Sequence, residues 1–287
     1  MGLRRRSLFP WPEWRAASDE TIALVRLGEH HLNAAPPEME ARTEAWLETR
    51  PLATGAGYPA ELGLSHPLAE RFSARLAPRP VEDGRSLRER RVLDQFGERM
   101  ADAIVADDPH DFTRGLATLA SHGLGRRVCP RRRLVGTQLD LEGEQIAFPP
   151  AEQIAERLTL VHGRLGEAAV PALYRAAVGM AAISNCHPFE DGNGRTARML
   201  FSAVVRRAYG RPAFYAPLHE LTTLSGGSLT LALREAEVHG RWAPLFRFVE
   251  RCLFLMAGDL RPEKPLSAAP VEINSELPFG VLRAIQD

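Results

Sequence analysis

The feature that most constrains the fold is a run of small apolar residues that ends abruptly before a proline. Residues 168–185 carry apolar side chains at helical spacing on all sides, a pattern typical of a helix buried inside a protein. Pro188 disfavours the helical conformation for His187, so the helix must stop there. A glycine-punctuated loop follows, and a second helical pattern begins at Arg195. The sequence therefore predicts a loop and a helix N-terminus packed against a central helix.

That loop has the composition of an anion-binding site. Gly192 and Gly194 allow a backbone in which successive N–H groups converge on an oxyanion. The second helix directs its free N–H groups and its positive dipole end at the same place. Arg195 and Arg198 are three residues apart and project from one side of the first helical turns. Two guanidinium groups beside such a loop are suited to hold a polyphosphate.

Two further residues add chemistry to this anion site. Asp191 is a hard oxygen ligand for a Mg²⁺ ion that bridges phosphates, and His187 has the residue type of a proton acceptor near neutral pH. The alternatives are a simple hairpin turn at Asp-Gly-Asn-Gly and a histidine that only ends a helix. Both flanks have helical rather than alternating periodicity, which argues against the hairpin. Together the residues indicate phosphoryl or nucleotidyl transfer.

The same stretch carries a family resemblance. Residues 187–198 read HPFEDGNGRTAR, which matches every fixed position of the Fic family motif, HPFx(D/N)GNGRxxR. The chain is similar to that family from about residue 86 to residue 258, and residues 241–246 resemble the aromatic segment of its last core helix. The resemblance implies a mainly α fold, a Fic-type helical domain with one β-hairpin flap and a helical N-terminal extension.

The resemblance also implies an activity, that of a protein adenylyltransferase. His187 would deprotonate a Ser, Thr or Tyr hydroxyl of a target protein, and the hydroxyl would attack the α-phosphate of ATP with release of pyrophosphate. Asp191 would ligate Mg²⁺. The anion hole and the contacts to the β- and γ-phosphates are assigned by the resemblance to Gly192, Asn193, Gly194, Arg195 and Arg198.

Other activities stay open at this point. Family members that resemble the kinase Doc have lysine where this chain has Gly194, so the glycine favours the AMP-transferring branch. The motif recognises the phosphates of a nucleotide and not its nucleobase. Transfer of UMP, GMP, phosphocholine or phosphate, and de-AMPylation, therefore stay as alternatives. A nucleotide-binding interaction module is the alternative of another class. The intact His187 argues against it, because a pure binder needs no base.

One short segment has a different periodicity. Residues 134–148 alternate apolar and polar side chains around Glu142-Gly143, which predicts a β-hairpin in an otherwise helical protein. In the resembling family this position holds the flap that binds the target segment by strand pairing. The residues expected to bind the target are Val135, Gly136, Thr137 and Gln138.

The rest of the chain predicts helices with recognisable caps. Ser18 is expected to cap a first helix, and Asp108-Pro109 to open another with a first-turn proline. Ser86 and Glu89 have the spacing of a capping box.

Proline and glycine mark the expected domain boundaries. The interpretation is an N-terminal helical extension over 1–84, a Fic domain over 85–260 and a loosely packed C-terminal tail over 261–287.

Regulation and partners are predicted from what the sequence lacks. Many Fic proteins are restrained by a helix with the pattern (S/T)xxxE(G/N), whose glutamate pairs with the second motif arginine, and no stretch of this chain matches it. The expectation is therefore a separate antitoxin or an enzyme that needs no inhibitor. In the resembling family one downstream segment is usually a continuous helix, and here Leu224 to Ser228 interrupts it.

Charge and cysteine content predict the kinds of partner and the cellular compartment. Lys plus Arg and Asp plus Glu each number 36, so there is no global field that favours nucleic acid or a membrane. No apolar run reaches a membrane span, which predicts a soluble protein. Three separated cysteines form no disulfide framework, which favours a reducing cytosol. The family resemblance implies the bacterial cytoplasm or, as for secreted effectors, delivery into a host cell. An arginine-rich run at 126–133 is interpreted as a solvated loop, and Cys186 as a buried thiol rather than a nucleophile.

Overall fold

Helices make up nearly all of the regular structure in a computed structural model that describes residues 4–5, 11–49, 84–136, 146–224 and 228–258. The elements follow in the order β1 (Arg4–Arg5), α1 (Asp19–Ala34), α2 (Met39–Thr49), α3 (Arg85–Val105), α4 (Pro109–Leu124), β2 (Ile146–Ala147), α5 (Ile154–Leu165), α6 (Ala172–Cys186), α7 (Asn193–Tyr209), α8 (Leu218–Leu224), α9 (Ser228–His239) and α10 (Ala243–Ala257). The predicted mainly α fold is confirmed.

Helix α6 is the centre of the hydrophobic core. Every residue from Ala176 to Ile183 is buried, because small side chains on all faces let neighbouring helices approach closely. Helix α7 packs along α6, α5 covers another side, and α3 and α4 pack on α7. The helix ends at Cys186 with His187 as its C-cap, which confirms the predicted end.

The N-terminal helix is part of the same packed body. Helix α1 lies along α10 and also contacts α6, and its buried residues include Val25 and Leu32. The boundaries predicted at 84 and 260 stay predictions, as does the loosely packed tail, whose residues lie outside those that the structure describes. Residues 67–76, where the sequence pattern predicts a further short helix, also lie outside them.

Two of the three predicted helix caps are confirmed. The Ser18 side chain accepts a hydrogen bond from the Thr21 N–H, and the Asp108 side chain accepts one from the His110 N–H. The capping box at Ser86 and Glu89 is wrong. Helix α3 already begins at Arg85, and its N-cap is Gly84 in a left-handed conformation with φ of 72°. The spacing was right for a cap, but both side chains turn into the protein interior instead.

The predicted hairpin is described only at its base. The Phe148 N–H donates to the Val135 carbonyl over 2.9 Å, and Gly136 pairs with Ala147 in antiparallel fashion. Strand β1 pairs with β2 in parallel on the Ile146–Ala147 side. Residues 137–145, which include the target-binding candidates Thr137 and Gln138, lie outside the described part of the chain. Among the helices that are described, none combines the length and the apolar character that crossing a membrane requires.

The contact between α1 and α6 yields a stability prediction. A Cβ atom at Gly28 would lie 2.5 Å from Cδ2 of the buried Leu173, whereas one at Gly163 would meet nothing within 4 Å. We expect Gly28→Val to lower the free energy of unfolding by about 1–3 kcal/mol through overpacking. The matched Gly163→Val change should alter it by less than about 0.5 kcal/mol, as surface substitutions usually do. Urea unfolding followed by circular dichroism measures both, and equal losses would contradict the close packing.

Candidate active site

The loop between α6 and α7 is held in shape by one side chain. The amide of Asn193 donates from Nδ2 to the Phe189 carbonyl over 2.8 Å and accepts at Oδ1 from the Phe189 N–H over 2.9 Å. Both Asn193 and Phe189 are buried. The Asn193 side chain therefore fixes the loop and is not directed at a ligand; what it can offer an anion is its backbone N–H at the start of α7.

His187 has an unusual backbone conformation. It has φ of 49° and ψ of 57°, and it is the one residue other than glycine with positive φ in the part of the chain that the structure describes. Such a residue is strained and persists where its surroundings fix it. Its N–H still donates to the Ile183 carbonyl over 3.0 Å. The helix thus ends in a left-handed residue immediately before Pro188.

The imidazole of His187 is stacked and largely shielded from water. The Phe148 ring lies parallel to it with 4.1 Å between the ring centroids. Nδ1 lies 3.4 Å from the Ser184 carbonyl, a partner that only accepts, so in the neutral ring the proton is on Nδ1 and Nε2 is free to accept one. The pKa of His187 is lowered from 6.5 to about 4, mainly by burial and to a smaller extent by the nearby charge of Arg131.

Arg131 is a functional residue that sequence reasoning missed. Its guanidinium is buried and donates to the carbonyls of Cys186 and His187 at the end of α6, at 3.1 Å and 2.6 Å. It also donates to the carbonyls of Arg133 and Pro149 at the base of the flap. Burial lowers the pKa of Arg131. The interpretation of residues 126–133 as a solvated loop is wrong at this position, and nothing in the run of similar arginines distinguished it.

Backbone donors at the N-terminus of α7 lie within the loop predicted to bind an anion, and that binding stays a prediction. Gly192 is the N-cap of α7 with φ of 79°, a left-handed conformation that favours glycine, and a Cβ atom there would lie 2.8 Å from Leu124 Cδ1. The Thr196 N–H and hydroxyl both bond to the Gly192 carbonyl. The N–H groups of the three residues before it, at positions 193–195, are those that a helix cannot satisfy internally.

The two motif arginines have different surroundings. Arg195 donates from Nη1 to the Gly123 carbonyl over 2.9 Å. Arg198 pairs through Nε and Nη2 with both carboxylate oxygens of Glu89, and Nε lies 3.1 Å from Oε2. The remaining nitrogen, Nη1, lies on the Gly194 side, 3.5 Å from where a Cβ atom of residue 194 would be. Arg198 thus faces the nest with one nitrogen and a buried glutamate with two.

The glutamate on Arg198 belongs to a buried network. The Tyr215 hydroxyl donates to Glu89 Oε2 over 2.8 Å, and Ser86 donates to Glu220. Burial lowers the pKa of Arg198, but the charge of Glu89 outweighs it and holds that pKa above its usual value. Burial raises the pKa of Glu220.

Glu89 therefore makes the pairing that the family pattern assigns to an inhibitory glutamate. Ser86 precedes Glu89 by three positions rather than the four of the pattern. Arg90 also follows Glu89 where the pattern has Gly or Asn, so the sequence pattern does not single out Glu89.

Asp191 is exposed at the rim of the loop. Its Oδ1 accepts from the Gly192 N–H over 2.6 Å, and its Oδ2 accepts from Arg126 Nη2 over 2.7 Å. Mg²⁺ is commonly bound by one or two carboxylates together with phosphate oxygens and water. A single accessible carboxylate beside a phosphate nest fits that donor set. In the residues that the structure describes, no group of three or more His, Cys, Asp or Glu side chains is arranged for a metal.

Cys186 behaves as predicted. It is buried next to His187, and burial raises the pKa of its thiol to about 11, so it is not a thiolate nucleophile at neutral pH.

The motif loop lies within the part of the chain that matches a known protein family. Residues 113–205, which span the loop and most of α7, match the family model described as Fic/DOC family. No curated protein matches the sequence significantly. The fold resembles the crystal structure of a Fic family protein from Desulfovibrio desulfuricans G20, with 19% identity and a TM-score of 0.56 over 84% of this chain and 74% of that chain.

Two further solved structures are more distant. A Fic domain containing signaling protein from Bacteroides thetaiotaomicron VPI-5482 has 16% identity and a TM-score of 0.49 over 83% of this chain and 96% of that chain. Fic-1 from C. elegans has 18% identity and a TM-score of 0.47 over 83% and 69%. The family match and the shared fold of the Desulfovibrio protein support a Fic/DOC family domain in this chain.

The shielding of His187 can be tested by titration. Removing the stacked ring with Phe148→Ala exposes the imidazole, so we expect its pKa to rise from about 4 towards 6.5. The pKa of His187 is lower in the folded protein than in the unfolded chain. Its contribution to the free energy of unfolding is therefore complete above pH 6.5 and is lost as pH falls towards 4. NMR of the His187 ring across pH 3 to 8 measures the midpoint. Phe96→Ala, which removes a ring that packs at a tilt beside His122 instead, is the control. A His187 midpoint unchanged by Phe148→Ala would contradict the shielding of His187 by Phe148.

Proposed function

We propose that this protein is an adenylyltransferase that moves AMP from ATP to a hydroxyl side chain of a target protein. The observation that carries the proposal is a neutral, oriented imidazole beside a nest of helix N-terminal donors. Fic family proteins typically modify other proteins by AMP transfer or a related transfer, which supports the same reading.

The base in this proposal is His187. Its lowered pKa keeps the ring neutral at pH 7, and the Ser184 carbonyl on Nδ1 leaves Nε2 to take the proton of the target hydroxyl. A triphosphate beside the ring would raise that pKa again, because negative charge favours the imidazolium. Proton acceptance therefore becomes easier once the nucleotide is bound.

The nucleotide in this proposal binds at the start of α7. The backbone N–H groups of residues 193–195 would hold phosphate oxygens, and the rigid loop clamped by Asn193 keeps them convergent. Arg195 and Arg198 would supply charge-assisted bonds to the β- and γ-phosphates. Asp191 would hold Mg²⁺, which neutralises phosphate charge when bound, and its present partner Arg126 would have to release Oδ2.

The target segment in this proposal lies along the flap. Phe148 at the base of the flap stacks on His187, so a strand that pairs near Val135 and Gly136 would bring a hydroxyl close to the base. The target protein, the cytoplasmic or host-cell setting and any separate antitoxin remain part of this proposal.

Labelled ATP tests the proposed reaction. With Mg²⁺ and a cell lysate, label from the α-phosphate of ATP should enter protein, and label from the γ-phosphate should not. His187→Ala should lower the rate by about 10²- to 10⁴-fold, the usual contribution of a general base. His239→Ala, which changes an exposed histidine at the end of α9, should leave it unchanged.

The other outcomes distinguish the alternatives. Label from the γ-position would indicate a kinase. Nucleotide binding without any label would indicate another donor or an interaction module.

The pairing of Glu89 with Arg198 generates a second prediction. Glu89 competes with the triphosphate for the guanidinium, so Glu89→Gln, which removes the negative charge, should tighten ATP binding. A hydrogen bond to a charged group is worth about 1.5–3 kcal/mol, which corresponds to about tenfold or more in affinity. Calorimetric titration with ATP measures this, and Glu98→Gln on the exposed side of α3 is the matched control.

Two measurements distinguish a Glu89 that restrains ATP binding from a Glu89 that only holds Arg198 in place. If Glu89→Gln folds, as judged by its melting curve, yet binds ATP no better than the parent protein, then Glu89 only positions Arg198. Weaker binding with a normal melting curve would lead to the same conclusion.

A further inference from the structure

Two buried carboxylates share one arginine beside the candidate active site. Glu89 of α3 is fully buried, and Glu220 of α8 is 5% exposed. The Tyr215 hydroxyl donates to Glu89 Oε2 over 2.8 Å and lies 3.0 Å from the hydroxyl oxygen of Ser86, which in turn donates to Glu220. Two hydroxyl groups therefore connect the carboxylates. Among the residues that the structure describes, Arg198 is the cation paired with this cluster.

The cluster holds two carboxylates for one guanidinium. The charged groups that face Glu220 are Glu89 from α3 and Arg198 from α7. The facing Tyr215 stays neutral, because burial raises the pKa of its hydroxyl well above the usual value. Burial also raises the pKa of Glu220, and the hydrogen bond from Ser86 lowers it. Of the two charges, that of Glu89 raises this pKa and that of Arg198 lowers it. Arg198 is therefore the charge that favours ionisation of Glu220.

ATP binding at the proposed site would take that charge away. In the proposed function Arg198 turns from Glu89 to phosphate, while α3 and α8 keep the carboxylates in place. Two negative charges in a buried cluster without a counter-charge repel each other, and burial disfavours the charged form of both. The cluster can relieve this repulsion by taking one proton from water, which the connected pair then shares.

We propose that ATP binding makes the pair Glu89 and Glu220 take up one proton from solvent, so that nucleotide affinity is coupled to pH. This inference rests on the nucleotide site of the proposed function. The complex then holds more protons than the free protein, so ATP binds more tightly at low pH. Affinity falls as pH rises from the pKa of Glu220 in the free protein to its higher value in the complex, by up to about tenfold per pH unit.

Calorimetric titration counts the protons taken up for each nucleotide bound. The titrant is ATP with excess Mg²⁺, in buffers that differ in ionisation enthalpy, between pH 6 and 8. Every sample carries His187→Ala, because a triphosphate beside the imidazole would bring a proton of its own. We expect a maximum uptake of about one proton. Adding both Glu89→Gln and Glu220→Gln should abolish it. The matched control, Glu38→Gln with Glu98→Gln, changes two exposed carboxylates and should keep it.

The other outcomes separate this inference from the proposed function. ATP binding without proton uptake would overturn the coupling and leave the proposed nucleotide site intact. Equal uptake after Glu89→Gln and Glu220→Gln would assign the proton to another group and overturn the coupling as well. Absence of ATP binding would contradict the nucleotide site and the coupling together. If the protein with both glutamates changed fails to fold, the His187→Ala protein decides alone, because an affinity for ATP that stays constant from pH 6 to 8 overturns the coupling.

Discussion

The guanidinium of Arg131 is the interaction on which the site depends. The carbonyls at the end of α6 have no partners within the helix, and the chain there must turn sharply into a left-handed residue before Pro188. Arg131 satisfies two of those carbonyls and ties them to the base of the flap. A buried charge held by neutral carbonyls tolerates little movement. The histidine and the flap are therefore positioned by the same group.

A second constraint comes from the start of α7. Asn193 bonds both backbone groups of Phe189, and Gly192 lies against Leu124 in a left-handed conformation that favours glycine. The donors of the helix end are thus arranged before a ligand arrives, which is what electrostatic preorganisation requires. Glu89 on Arg198 acts in the opposite sense, because it brings negative charge to the place proposed for phosphate. In the proposed function, the loop is a preformed anion nest and Glu89 is an internal competitor for one of its arginines.

Much of this arrangement could be predicted from the sequence, since local rules decide it. Small residues on all faces predict the buried helix α6, Pro188 predicts its end, and Asp108-Pro109 predicts a cap. What could not be predicted depends on distant parts of the chain. Ser86 and Glu89 obey the local pattern of a capping box, yet Arg198 and Glu220, more than a hundred positions later, determine where their side chains point. Arg131 could not be predicted for the same reason, because its carbonyl partners at Pro149, Cys186 and His187 are distant in the sequence.

A crystal structure with a non-hydrolysable ATP analogue and Mg²⁺ tests the central claim most directly. The account predicts the triphosphate on the N–H groups at the start of α7, Arg198 turned from Glu89 to phosphate, and the α-phosphorus on the Nε2 side of His187. A nucleotide bound elsewhere, or one on α7 with its α-phosphate remote from His187, would contradict it.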